Sequence, residues 1–309
     1  MKTNPKSTLY DTIIIGSGLA GCTAAIYAAR KRMNFLLLTD TFGGQFLESG
    51  NIYNYPGIHK ISGFDFSALM EKQLEYNNIT PLTGVRVTKL QKQGKNFQVI
   101  TDNKKYLARS LIITTGARAR ELAVDGEQQY KNKGLTYCAI CDGPLFKNKD
   151  VTVIGGGNSA LEAADFLLNI AKSITILNLN PAFNAHEYLI EQISSHKKVK
   201  IINNAQTLKI LGNTFVSGIK YKQKNQVKTL KTQGIFVEIG RIPNTNFLKG
   251  FLKLDEHQHI IINQTTQTSV PGVFAAGDCS SVHEYQYVIA AGQGCTALIK
   301  AARYLAQKK

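Results

Sequence analysis

At 309 residues, 43% of them apolar, the chain can bury two domain-sized cores, which excludes a disordered or fibrous protein. Its formal charge of +16 raises nucleic acid as a partner, but Lys104-Lys105, Lys197-Lys198 and Lys308-Lys309 are short, scattered clusters without interleaved aromatic platforms. We therefore expect a solvated basic surface that speeds encounter with an acidic protein, and neither nucleic-acid nor membrane binding.

The opening residues, MKTNPKSTLY, contain no apolar segment suited to export, and no later run approaches a membrane span. A cytoplasmic location is expected. Thr12-Ile13-Ile14-Ile15 then reads as a strand running into Gly16-Ser17-Gly18-Leu19-Ala20-Gly21 and an alanine-rich helix. This is GxGxxG between a strand and a helix, the context in which its glycines permit a tight turn, a close pyrophosphate and close helix packing. The next strand, Phe35 to Leu38, ends near Asp40, a carboxylate placed to bind a ribose. Phe42-Gly43-Gly44-Gln45 and Tyr53-Asn54-Tyr55-Pro56-Gly57 read as loops without regular structure, and ordinary turn chemistry would also explain them. Residues 63–78 suggest an amphipathic helix, and 85–113 a small antiparallel meander. That meander ends in Leu111-Ile112-Ile113-Thr114-Thr115-Gly116, and Ala117 to Arg120 reads as a linker.

Thr136-Tyr137-Cys138-Ala139-Ile140-Cys141-Asp142-Gly143 sets two thiols beside a carboxylate. In a chain with five cysteines and no export signal, such a CxxC is expected to be redox-active, with Asp142 handling a proton. Zinc would need further ligands; Cys22, Cys279 and Cys295 are scattered and the histidines show no ligand spacing, so no metal site is expected.

Val151-Thr152-Val153-Ile154, Gly155-Gly156-Gly157-Asn158-Ser159-Ala160, a helix over 161–170 and the strand Ile174 to Leu177 repeat the first unit. Asn178 now stands where Asp40 stood. Residues 199–237 are again strand-rich, Gly240 to Asn244 reads as a second crossover, and TSVPGVFAAGD gives a strand ending at Gly277-Asp278. A long helix is expected from Tyr285 to Leu305. Cys22, Cys279 and Cys295 are expected to be small packing residues.

Taken in this order, the motifs resemble those of low-molecular-weight thioredoxin reductases over nearly the whole chain. The segments around Cys138–Lys147 and Asn204-Ala205-Gln206-Thr207 look closer to the flavoprotein subunit of bacterial alkyl hydroperoxide reductases, which carries an extra N-terminal thioredoxin-like module. Without that module a separate carrier is expected. The resemblance implies an α/β fold of two Rossmann-like, three-layer ββα nucleotide-binding domains, the second inserted into the first. An FAD domain would comprise 1–117 and 246–309, and the insert, with the CxxC, 118–245.

By the same resemblance FAD would be held by Gly16, Ser17, Gly18, Ala20, Gly21, Thr39, Asp40, Gly43, Gly44, Gln45, Asn54, Val87, Thr115, Gly116, Gly277, Asp278, Gln286 and Tyr287. Gly155, Gly157, Asn158, Ser159 and Asn178 would face a nicotinamide nucleotide. Cys141 would form the charge-transfer thiolate at the flavin, Cys138 would attack the disulfide of a thioredoxin-like protein, and Asp142 would move the proton. The family works as a homodimer whose inserted domain turns about its linkers. Where NADPH-dependent members carry a histidine and arginines, this chain reads Asn178-Leu179-Asn180-Pro181-Ala182-Phe183-Asn184, with no cation for a 2′-phosphate. NADPH is therefore disfavoured and NADH preferred, with Asn178 as a neutral ribose partner. The acidic residue that hydroperoxide-reductase relatives use there is missing too, and Tyr285 replaces the usual arginine or lysine before Gln286. Ferredoxin or flavodoxin is the alternative donor. Other readings are an NADH-dependent reductase feeding a peroxidase through a dithiol carrier, and a slow, nucleotide-responsive redox sensor.

Overall fold

The computed structural model describes residues 8–49 and 51–307. Residues 1–7 and the Lys308-Lys309 pair lie outside this range. The chain divides into two compact units, Met1–Arg118 with Ile242–Lys309, and Ala119–Arg241.

In the first unit the strand Leu9–Ile15 lies between Phe35–Leu38 and Lys105–Ile113, parallel to both. The other edge of Lys105–Ile113 is shared between Asn96–Thr101, antiparallel, and Val273–Ala275, parallel. Val87–Gln93 completes the expected meander. Side chains alternate across this sheet, as the period of a strand requires. Ile14 and Ile112 enter one core with the helices, whereas Ile13, Ile15, Leu111 and Ile113 enter the core on the opposite face. On the helical face, Leu19–Arg30 packs against Tyr287–Ala306. The approach is close because its residues are small: a Cβ at Gly294 would stand 2.1 Å from the carbonyl oxygen of Ala20.

The second unit has a five-stranded sheet in the order Val199–Ile202, Ser173–Leu177, Asp150–Ile154, Gly234–Val237, Leu135–Thr136, with each neighbouring pair parallel. The helix Asn158–Leu168 covers one face with Val151, Val153, Ile174 and Ile176. Ile154, Leu177 and Val237 point the other way, into a core shared with the antiparallel meander Gln206–Gly212, Val216–Gln223, Gln226–Lys231. Helix, parallel sheet and meander make three layers.

Three local expectations are corrected. The glycine-rich loop after Phe42 contains a one-turn helix, Gln45–Glu48. Its first turn follows Gly43 and Gly44, both at positive φ, where the chain reverses before the amides can pair. The last helix begins at Tyr287; Gln286 is its extended N-cap and Tyr285 precedes it. The linker after Gly116 is partly a strand, Ala117–Ala119, paired with Arg241–Pro243, so the two connecting segments form one ribbon. Among the described residues no helix is long and apolar enough to cross a membrane.

Candidate active site

Cys138 and Cys141 are joined by a disulfide, with Cα atoms 5.3 Å apart. The strand Leu135–Thr136 delivers Cys138 to the N-cap of the single-turn helix Ala139–Asp142, where its Sγ accepts the Cys141 N–H at 3.2 Å. A thiolate on Cys138 would keep that bond in charge-assisted form. Thr136 ties the turn together. Its hydroxyl oxygen accepts the Cys138 N–H at 3.3 Å, and its proton goes to Asp142 Oδ2. Burial pushes the Asp142 carboxyl above the usual aspartate range, with the Thr136 bond pulling the other way. The group thus keeps its proton to higher pH than an exposed aspartate, in the same turn as the sulfurs.

A second carboxyl approaches this turn that sequence reasoning did not single out. Glu238, one residue past Gly234–Val237, accepts the Ala139 N–H, and desolvation raises its pKa to about 8 against the attraction of Arg241. The signal available was a lone acid closing an apolar strand. Because its folded pKa lies above the unfolded one, the native state holds a proton that the unfolded chain releases. Stability from this group is complete below about pH 4.5 and lost as pH rises through about 8. Glu238→Gln keeps an acceptor for Ala139 but has no proton to lose. The variant should match the parent at about pH 4 and exceed it in denaturant unfolding at pH 9 by about 2 kcal/mol, allowing for partial exposure.

In the first unit the predicted residues gather at the carboxyl ends of the central strands. Gly16 has φ +108°, and a Cβ on Gly21 would lie 1.9 Å from the Gly16 carbonyl oxygen, so the turn and the helix behind it require glycine at both. Gly18 is the opposite case: a Cβ there would meet nothing within 4 Å. The helix starting at Leu19 has no side-chain cap and no acid in its first turn, leaving amides for an anion in that open space. Ser17 Oγ donates to Thr39 Oγ1 at 2.9 Å. Asp40 is exposed, 3.7 Å from Arg86, one residue before Val87. Gly44 comes within 3.5 Å of Gly18, measured from the position a Cβ would take, and Gly277 similarly lies 3.2 Å from the Ala20 Cβ. Ala275 pairs with Ile113, so Gly277-Asp278 and Thr115-Gly116 emerge side by side. Gln45, Asn54, Gln286 and Tyr287 form a linked group: Asn54 Nδ2 donates to Gln286 Oε1 at 3.1 Å, and Tyr287 Oη donates to the Gln45 carbonyl at 2.9 Å. These residues fit a dinucleotide, and the amides after Gly16 would take its pyrophosphate.

The second glycine turn is differently furnished. Gly155 to Ala160 occupies the equivalent place, with Asn158 and the exposed Ser159 opening the helix. Asn178, expected from the sequence as a ribose partner, is engaged within the unit itself. It is 1% exposed, and both of its amide hydrogens are spent, on Ala182 O at 3.0 Å and Asn203 Oδ1 at 3.1 Å. Its oxygen accepts the Asn180 N–H at 3.1 Å. The following loop folds back on the glycines: Asn184 N–H donates to Gly156 O, and His186 N–H to Asn158 Oδ1, each at 2.8 Å.

Of the other cysteines, burial pushes Cys22 up to about 12 and Cys279 to about 11, so both are inert packing groups. The fold also draws together Asp255, His259 and His283, which spacing in the sequence did not suggest.

Residues 10–294 match the pyridine nucleotide-disulphide oxidoreductase family. The chain is 40% identical to the F component of alkyl hydroperoxide reductase from Escherichia coli over 98% of its own length, and spans 60% of that protein. A thioredoxin reductase from Streptococcus pyogenes superposes with a TM-score of 0.91 at 35% identity, covering 98% of this chain and all of that one. A ferredoxin-flavin thioredoxin reductase from Clostridium acetobutylicum gives 0.55 at 29% identity, covering 97% and 99%. With the matched family spanning both glycine turns and the disulfide between them, the chain belongs to the pyridine nucleotide-disulphide oxidoreductases and is thioredoxin reductase-like.

Proposed function

We infer that this protein is an FAD-dependent reductase of the disulfide in a thioredoxin-like protein. The observation that carries the reading is the Cys138–Cys141 disulfide beside a carboxyl whose pKa burial raises, in the unit that also bears the second glycine turn. Bound FAD supplies the electron pair. Once the pair is a dithiol, Cys138 as thiolate attacks a partner disulfide, giving a mixed disulfide and a partner thiolate. Cys141 then attacks Cys138 Sγ, the internal disulfide reforms, and the partner leaves with two thiols. Two protons are taken up by the partner over the cycle, and Asp142 is the group in the turn suited to pass them.

For the donor, the absence of any Lys, Arg or His from Asn178 to Asn184 supports NADH over NADPH. Each lost charge-assisted phosphate contact costs about 1.5–3 kcal/mol. The hydrogen bonds that already occupy Asn178 favour a second reading, in which the donor is a small acidic electron carrier such as ferredoxin or flavodoxin. Anaerobic titration of the yellow protein separates them. NADH should bleach the flavin at concentrations at least tenfold below those NADPH needs. If neither nicotinamide bleaches it at millimolar levels while reduced ferredoxin does, the second reading replaces the first. A protein that can neither hold nor be reconstituted with FAD defeats both.

A further inference from the structure

In the first unit, a turn that precedes the strand Val273–Ala275 and the segment between that strand and the final helix bring together side chains that the disulfide chemistry does not use. Leu254 bridges to Ile260, closing a tight turn in which Asp255 N–H donates to His259 O at 2.9 Å. Asp255 Oδ1 accepts the His257 and His259 amides at 2.9 and 2.8 Å, which fixes the carboxylate and aims Oδ2 away from the turn. Ile260 also bridges to Ser280, and this brings in the segment that carries His283. His283 has φ +61°, a left-handed backbone conformation uncommon for a residue with a side chain.

The three side chains converge with their polar atoms left over. His259 is 2% exposed, and its Nδ1 has no hydrogen-bond partner. Asp255 Oδ2 is buried and equally unsatisfied: His283 Nε2 lies 2.9 Å away, but without the alignment of a hydrogen bond. His259 Nδ1 is 3.8 Å from Asp255 Oδ1, the two imidazole centroids are 4.4 Å apart, and one ligand atom from each residue lies within 4.8 Å of the others. Buried polar atoms left without an aligned hydrogen bond are expensive unless something joins them. A tetrahedral ion with bonds of about 2.0–2.2 Å needs its ligand atoms roughly 3.3–3.6 Å apart, and here they already lie within 4.8 Å of one another.

We propose that Asp255, His259 and His283 form a site for one divalent transition-metal ion of the zinc class, with the fourth position open to water beside the exposed His283 ring. Two imidazoles and one carboxylate suit zinc, cobalt, nickel or copper and disfavour magnesium and calcium, which seek oxygen. The outer contacts are in place. Tyr285 Oη lies 3.0 Å from His259 Nε2 and accepts the Nε2–H hydrogen bond when Nδ1 binds metal, while backbone amides hold the carboxylate. The bound ion fastens the segment between Asp278 and Gln286 to the 255–259 turn. Both ends of that segment belong to the residues assigned to FAD, so the metal acts as a structural clamp at that edge. This site stands whether or not the donor reading holds.

The test uses the full-length protein with its FAD, chelator-stripped and oxidised so that Cys138 and Cys141 remain a disulfide and cannot take metal. Zinc is titrated calorimetrically, and cobalt is followed by its visible bands beyond the flavin absorbance. One equivalent should bind at micromolar concentration or below. His283→Ala, at a partly exposed position, should weaken binding at least tenfold, whereas His257→Ala, one turn residue away and outside the cluster, should change it by less than threefold. Absence of binding to the parent protein at micromolar zinc overturns the proposal, as does a loss below tenfold in His283→Ala or equal losses in the two variants. Circular dichroism of each variant confirms that the comparison is between folded proteins.

Discussion

Cys138→Ser is expected to lower turnover of a protein disulfide by roughly 10³-fold or more, the scale on which loss of a covalent nucleophile acts, while the flavin is still reduced by its donor. The substitution is structurally mild. Cys138 is the N-cap of Ala139–Asp142 and accepts the Cys141 N–H, and serine is among the best residues for that position. The ring opened by losing the disulfide is short, so little unfolded-state restraint disappears. The companion variant makes the assignment directional. Cys141→Ser leaves a Cys138 thiolate that can attack but cannot be resolved, so a mixed disulfide with a thioredoxin-like substrate should accumulate and survive non-reducing electrophoresis. If Cys138→Ser traps the partner and Cys141→Ser does not, the two roles are reversed. Full turnover in Cys138→Ser would remove the disulfide from the mechanism altogether.

What could be read from the sequence was whatever is written locally. Ile13-Ile14-Ile15 before Gly16 announced an apolar strand, and the structure distributes those three side chains between the two cores. CxxC announced the disulfide because the bond joins near neighbours. What escaped depended on segments distant in the chain. Asn178 stood at the position where a ribose partner is sought, but its hydrogen bonds are decided by Ala182 and Asn203, which no offset from Gly155 reveals. The start of the last helix moved to Tyr287 because Gln286 is held in extended form with its side chain on Asn54, far upstream. Glu238 could have been flagged, since an acid ending Gly-Ile-Phe-Val is an ionisable group entering a core; its contact with Ala139 could not. Asp255 and His283 are brought together through the Ile260–Ser280 bridge, a pairing without any sequence motif.

Asp142→Asn is expected to reduce disulfide turnover by about 10²–10⁴-fold, the range for loss of a positioned acid or base, with little change in folding. Asparagine has the same shape, and its amide oxygen can still accept the Thr136 hydroxyl, so the turn that links Thr136, Cys138 and Asp142 persists. Only proton exchange is lost. The pH profile distinguishes this from a packing defect. In the parent the carboxyl is raised by burial and partly restored by Thr136, so Thr136→Val, which removes the restoring bond, should move the corresponding limb of the rate profile to higher pH. Asp142→Asn should abolish that limb. A partly buried carboxyl with no catalytic part would give a different pattern: turnover in Asp142→Asn would stay near the parent value, and the Thr136→Val profile would not shift. A small external acid such as acetate offers a further discrimination, because it can restore turnover to an enzyme missing only a proton carrier and cannot repair a misplaced sulfur.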